Sequence, residues 1–249
     1  MKAITAPLES FGQYVILLRS MFTRPENVRM YWKETARQMN DIGVGSLFIV
    51  LIIGVFIGAV TAVQFAYQLN TGLIPKYYVG YIVRDSMVIE LAPTITCLVL
   101  AGKVGSSLAS EIGGLRQKEQ IDAMEVMGIN TAAYLIAPRI VAALFVIPLL
   151  VIFAAFMGII GGYIASVMGG LVSDTDYVLG VNSFFAPYNV FMMLVKAVVF
   201  AFILTSVSCY MGYFATGGSI ELGRASTKAV VTSDLLILLA DYLLATALT

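Results

Sequence analysis

Three ionisable residues interrupt otherwise apolar runs: Glu90, Lys196 and Asp241. A charge in hydrocarbon costs roughly 2.5–3.5 kcal/mol on insertion scales, so such a group pairs with another or faces water. Counting from the apolar boundaries at ~1.5 Å per residue puts Asp241 ~18 Å from one membrane face, and Lys196 and Glu90 ~9 and ~12 Å from the other. In a core ~30 Å thick the three then share one depth. One lysine between two carboxylates can form a buried network that ties three helices together. Alternatively, Glu90 or Lys196 lines a cavity and meets a lipid headgroup. Gln64 and Tyr67, near the end of an earlier apolar run, and Leu91 beside Glu90 are further cavity candidates. An apolar wall with a few polar groups suits a phospholipid, whose tails need apolar surface and whose headgroup needs a handle.

Other chemistries fit less well. The 249 residues include no histidine, which excludes Ser-His-Asp hydrolysis and His-ligated metal sites. An intramembrane aspartyl protease would need Asp234 and Asp241 to share a proton. Seven residues apart on one helix, they are separated by about 10 Å, too far for a dyad. A proton-coupled secondary transporter would use Glu90 and Asp241, but five spans do not divide into inverted repeats and no internal repeat is visible. The chain has no G-x-x-x-x-G-K-[ST]: Gly102-Lys103 is followed by Val104, and Cys97 stands where the first glycine would be. No cofactor is therefore expected here, and ATP with magnesium belongs to a partner if transport is ATP-driven.

The elements that position these residues follow from composition. Hydrophobic residues make up 59% and charged residues 12%, about half the usual charged share, with 15 basic and 15 acidic side chains and two cysteines. Zero net charge argues against a nucleic-acid binder, apolar content against disorder, and the cysteine count against a disulfide scaffold. An all-α membrane protein remains. Spans of roughly 20 apolar residues fall at about 42–67, 82–110, 140–173, 190–213 and 229–249. The first 40 residues differ: Leu8, Phe11, Val15, Leu18 and Phe22 recur at steps of three and four between polar residues. That pattern predicts an amphipathic interfacial helix, broken at Arg24-Pro25, ahead of a five-span domain over 41–249. Twelve of the 15 basic residues lie in the leading segment, the loop after span two and the loop before span five, against two (Lys76 and Arg84) on the other side. This bias predicts a cytoplasmic N-terminus and an external C-terminus.

Smaller signals accompany this plan. Gly54 with Gly58 and Gly158 with Gly162 form GxxxG pairs, which serve either general helix contact or a dimer seam. Pro93 and Pro148 are candidate kinks, and Cys97 and Cys209 are expected to be apolar filler. In the outer loop over 174–187, Tyr177, Phe184 and Phe185 suit an aromatic belt or an external partner. Between spans two and three, residues 111–128 place Leu115, Ile121, Met124 and Met127 near helical spacing among charges. A short amphipathic helix is expected there, either resting on the membrane or docking a soluble partner.

Several of these segments together are distinctive. Glu90-Leu-Ala-Pro93, Ala101-Gly-Lys-Val-Gly-Ser106, Glu111-Ile-Gly113, Glu119-Gln120 and Met124-Glu-Val-Met-Gly128 resemble the MlaE/YrbE permease family. The resemblance extends to Gly54-Val-Phe-Ile-Gly58, Pro138-Arg139, Lys196-Ala-Val-Val-Phe200, Gly223-Arg-Ala-Ser-Thr-Lys228 and Asp241-Tyr242, in the same order along nearly the whole chain. It implies a single permease domain over 1–249, working as a homodimer in the bacterial inner membrane and passing phospholipid. It also implies a cytoplasmic ABC ATPase, an accessory cytoplasmic subunit and an external MCE-domain lipid carrier as partners. The loop helix would be the coupling helix on the ATPase, through Glu111, Arg116, Glu119, Asp122, Met124, Glu125 and Met127. One departure is Ile89, where some members carry arginine, so a charge pair with Glu90 does not carry over.

Overall fold

The computed structural model describes residues 2–21, 28–69 and 75–248, and among these every regular element is a helix. The order is α1 (Lys2–Ser20), α2 (Val28–Gln68), α3 (Tyr78–Gln117), α4 (Gln120–Val126), α5 (Ala132–Met168), α6 (Asp174–Asn182), α7 (Pro187–Tyr213) and α8 (Ser219–Leu248). Five of them, α2, α3, α5, α7 and α8, are long and apolar enough to cross a membrane. Several run well past the apolar stretches that predict them, because charged turns continue the same helical hydrogen bonding. The expected break at Arg24-Pro25, Phe22 and the Leu8 side chain lie outside what is described. In α1, Leu17 is buried, whereas Phe11, Val15 and Ile16 are exposed.

Local breaks in the spans have identifiable causes. Proline lacks the N–H that an α-helix needs and its ring crowds the carbonyl four residues back. Just before Pro93, residues Met87–Leu91 widen into a π turn, with the Ala92 N–H bonded to the Met87 carbonyl. The same solution precedes Pro138, where α5 opens with a π turn over Ala132–Ile136. Pro148, by contrast, is carried inside continuous α-helix. A third π turn, Ala101–Gly105, has no proline beside it but contains Gly102 and Gly105.

The segment over 111–128 is not one helix. Its first residues are the last turns of α3, which closes when Glu119 adopts a left-handed φ of 57° and its N–H bonds the Arg116 carbonyl. The short α4 then begins. On it Ile121 is fully buried, while Val126 and Met127 are largely exposed. At the other loop, Ser173 caps α6 by accepting from the Asp176 N–H at 3.2 Å, and Asp174 and Asp176 suit the positive end of that helix.

The described chain packs as two compact units. The first comprises residues 1–42, 100–145 and 201–237, and the second residues 43–99, 146–200 and 238–249. Within the second, the glycine pairs let α2 and α5 touch backbone to backbone. A Cβ on Gly58 would overlap the Gly158 carbonyl, and one on Gly54 would sit 2.7 Å from the Ala154 carbonyl oxygen. These glycines therefore serve a contact within one chain, the general use of small residues in membranes. Gly80 and Gly180 do the same for α3 against α6. Within the first unit, α1 is tied to α7 by Tyr14, whose hydroxyl lies 2.7 Å from Ser206 Oγ and whose ring meets Tyr210 edge-on. Burial pushes the Tyr14 hydroxyl above its usual range. Both cysteines are buried and free.

Candidate functional site

The second unit contains the three charged residues that interrupt the apolar runs. Lys196, on α7, is fully buried. Its Nζ lies 2.5 Å from Glu90 Oε2 on α3 and 2.8 Å from Asp241 Oδ1 on α8. Thr94, one helical turn after Glu90, donates to Asp241 Oδ2 at 3.0 Å. A buried ammonium without a partner would be costly, and here two carboxylates compensate it. The three members differ in access. The Asp241 side chain is 10% exposed, whereas that of Glu90 is 45% exposed. The cluster therefore locks three helices together and leaves one carboxylate open.

Glu90 opens onto a cavity of about 520 Å³. From α2 it is lined by Thr61, Gln64 and Phe65, spaced to share one helical face. From α3 it is lined by Asp85 and Ser86 and by Ile89, Glu90 and Leu91, the last three within the π turn ahead of Pro93. Such turns recur at functional sites because they reorient side chains without breaking the helix. Of the residues expected at this cavity, Gln64, Leu91 and Glu90 meet there. Tyr67 does not: it is 67% exposed and absent from the lining. At 3.6 residues per turn it points about 120° away from Thr61 and about 160° away from Phe65, off the face they share with Gln64.

Sequence reasoning missed Thr61, Asp85, Ser86 and Thr94 at this site. Threonine and serine in spans commonly bond their own helix, as Thr61 does to the Ile57 carbonyl at 2.7 Å, so they carry no distinctive signal. Asp85 reads as a charge at a span boundary. Its neighbour Arg84 offered a better signal, because a basic residue inside an apolar stretch needs partners. Arg84 is buried and donates to the carbonyls of Val181 and Ser183, both at 2.7 Å, and to Asp85 Oδ1 from Nε at 2.9 Å and Nη2 at 2.7 Å. It thus joins α3 to the turn after α6, between the rings of Tyr81 and Phe185. In α6, Tyr177 is buried with its hydroxyl donating to the Ile159 carbonyl, and burial raises its titration above the usual tyrosine range. Phe184, with a left-handed φ of 51°, and Phe185 remain exposed.

The first unit holds the other charged group of interest. Arg116 Nη1 is 2.8 Å from Asp122 and 3.9 Å from Glu125, which brings the end of α3 onto α4. The Tyr213 hydroxyl, at the end of α7, donates to Glu125 at 2.7 Å and lies 2.7 Å from Thr131 Oγ1. Its ring also sits under the Arg116 guanidinium, 5.8 Å away. Glu111 pairs with the buried Arg139 at 2.7 Å instead of joining α4. Glu119 forms the exposed turn, and Met127 is exposed while Met124 is half-buried. Among the described residues no group of three or more histidine, cysteine or acidic side chains is placed to hold a metal.

The chain has clear relatives. The family model described as Permease MlaE matches residues 35–247. A probable ABC transporter permease protein of Rickettsia bellii is 34% identical over 236 residues, covering 95% of this chain and 91% of the relative. The intermembrane phospholipid transport system permease protein MlaE of Haemophilus influenzae is 32% identical over 230 residues, 92% of this chain and 87% of its own length. The chloroplastic protein trigalactosyldiacylglycerol 1 of Arabidopsis thaliana is 30% identical over 223 residues, 87% of this chain and 61% of the relative. With five membrane-length helices and a family match over most of its length, this multi-pass membrane protein belongs to the MlaE permease family.

Proposed function

We propose that the chain is the membrane subunit of an ATP-driven phospholipid transporter, and that the cavity at Glu90 holds the lipid. The observation that carries this reading is a half-exposed carboxylate, anchored by a buried lysine, at the edge of an otherwise largely apolar wall. Apolar surface suits acyl chains and the fixed polar groups orient a headgroup. The name of the Haemophilus influenzae relative supports phospholipid as the cargo, and the Rickettsia name supports an ABC-type assembly.

The subunit works as a homodimer in the bacterial inner membrane, N-terminus in the cytoplasm and C-terminus outside, an orientation supported by the twelve-to-two bias of basic residues. A separate cytoplasmic ATPase binds ATP and magnesium, because this chain has no phosphate-cradling loop. That ATPase docks on α4, where exposed Val126 and Met127 are flanked by Glu119, Asp122 and Glu125. An accessory cytoplasmic subunit and an external MCE-domain carrier complete the pathway, and the chain itself is non-catalytic. Purification of the complex from native membranes with lipid analysis tests the reading. An ATPase subunit together with phospholipid is the expected result. A lone, lipid-free monomer, or ATP hydrolysis by this chain alone, overturns it.

A further inference from the structure

The cavity wall presents charge of one sign. Asp85 and Glu90 both line it, and among the described residues no lysine or arginine does. The cations that pair with them stand behind the wall. The Lys196 side chain is 0% exposed and that of Arg84 is 4% exposed, against 45% for Glu90 and 19% for Asp85. A group entering the cavity therefore meets carboxylate oxygens before any ammonium or guanidinium.

Neither carboxylate can turn away easily. Two Arg84 nitrogens grip Asp85 Oδ1, and that guanidinium is itself fixed by the carbonyls of Val181 and Ser183. Such a planar fork holds its partner in one geometry. Glu90 is held at Oε2 by Lys196, which also serves Asp241, so one ammonium is shared between two carboxyl groups. Beside these acids, Phe65 and Ile89 supply apolar surface and Gln64 a neutral polar group.

We infer that the cavity selects lipids whose headgroup carries an ammonium group, such as an ethanolamine phospholipid, over headgroups that are anionic without a cation, such as a phosphoglycerol. The inference rests on the cavity being the lipid site and adds which chemical class it accepts. An ammonium donates charge-assisted hydrogen bonds to Asp85 and Glu90, which are strengthened away from bulk water. A headgroup with only negative charge meets like charge there and gains no such bond.

The test uses the full chain in nanodiscs, with photoactivatable phosphatidylethanolamine and phosphatidylglycerol of identical acyl chains, and labelled residues mapped by mass spectrometry. At residues 61–65 and 85–91 the ethanolamine lipid should label about tenfold more than the glycerol lipid, a ratio one well-placed charge-assisted bond supplies. Replacing Asp85→Asn should cut that ratio severalfold. Replacing Ile89→Lys adds a cation to the wall beside Glu90 and should reverse the order. The wild-type ratio alone is decisive if a variant does not fold. Equal labelling by both lipids, or a preference for the glycerol lipid, overturns the inference and leaves the cavity a lipid site. No label from either lipid at these residues overturns the lipid-site reading and the inference with it.

Discussion

Lys196 and Arg139 are both buried cations, yet the protein neutralises them differently. Lys196 has a compact ammonium shared between two carboxylates, one nearly buried and one half exposed. Arg139 divides its donors between the half-exposed Glu111 and the Leu135 carbonyl one turn back in its own helix. A point charge tolerates several partners at once, whereas the guanidinium fork aims its donors in fixed directions, here at a carboxylate and a backbone oxygen. The difference teaches what each region is built for. Around Lys196 charge is concentrated beside a cavity, and around Arg139 it is spread over a joint between helices.

The largest effect should come from Lys196→Met, which leaves Glu90 and Asp241 facing each other without a cation. Breaking a buried ion pair in this way costs about 3–5 kcal/mol, read as a fall in Tm of the detergent-solubilised chain or as loss of folded material. Adding Asp241→Asn should recover part of the loss. If the double variant is no more stable than the single, the two carboxylates do not share the lysine's charge. Arg139→Met should cost less, about 1–3 kcal/mol, because Glu111 is half exposed and can rehydrate. A Tm drop equal to that of Lys196→Met would erase the contrast between the two cations.

Smaller changes sharpen the picture at the joint. Tyr213→Phe removes one hydroxyl that serves both Glu125 and Thr131, an expected cost of about 0.5–1.5 kcal/mol by thermal unfolding. No change in Tm would mean that α4 is held to α7 by packing alone. Arg37→Ala is the control. Its contact with Asp41 is 4.0 Å long and both side chains are mostly exposed, so the shift should stay within about 0.5 kcal/mol. A larger loss there would show that exposed and buried pairs are not as unequal as their environments imply.

Charges were the legible part of this sequence. Glu90, Lys196 and Asp241 stand out because a membrane makes every unpaired charge expensive, and helix rise alone puts them at one depth. The five spans are legible for the same reason, since long uncharged runs have few alternatives to a helix. The finer geometry was not legible. Nothing in Glu119 announces a left-handed turn, which residues other than glycine seldom adopt and which here divides 111–128 into two helices. Thr94 reaches Asp241 from 147 positions away, a pairing that only the packing of α3 on α8 creates. Tyr67 lies outside the cavity lining because the face of α2 that carries Thr61, Gln64 and Phe65 has turned away by that position.

The π turn before Pro93 has a consequence for how this wall can vary. Relative to an ideal helix it holds one extra residue. Five residues at the wider pitch turn about as far round the axis as four at the ordinary one, so deleting a single residue from Met87–Leu91 would restore the ordinary pitch and leave the two sides facing as they do. Asp85 with its Arg84 clamp lies on one side of that turn, and Thr94 with its bond to Asp241 lies on the other. The turn therefore absorbs its extra residue without moving either contact, whereas a deletion in the regular helix between them would rotate Asp85 against Thr94 by about 100°.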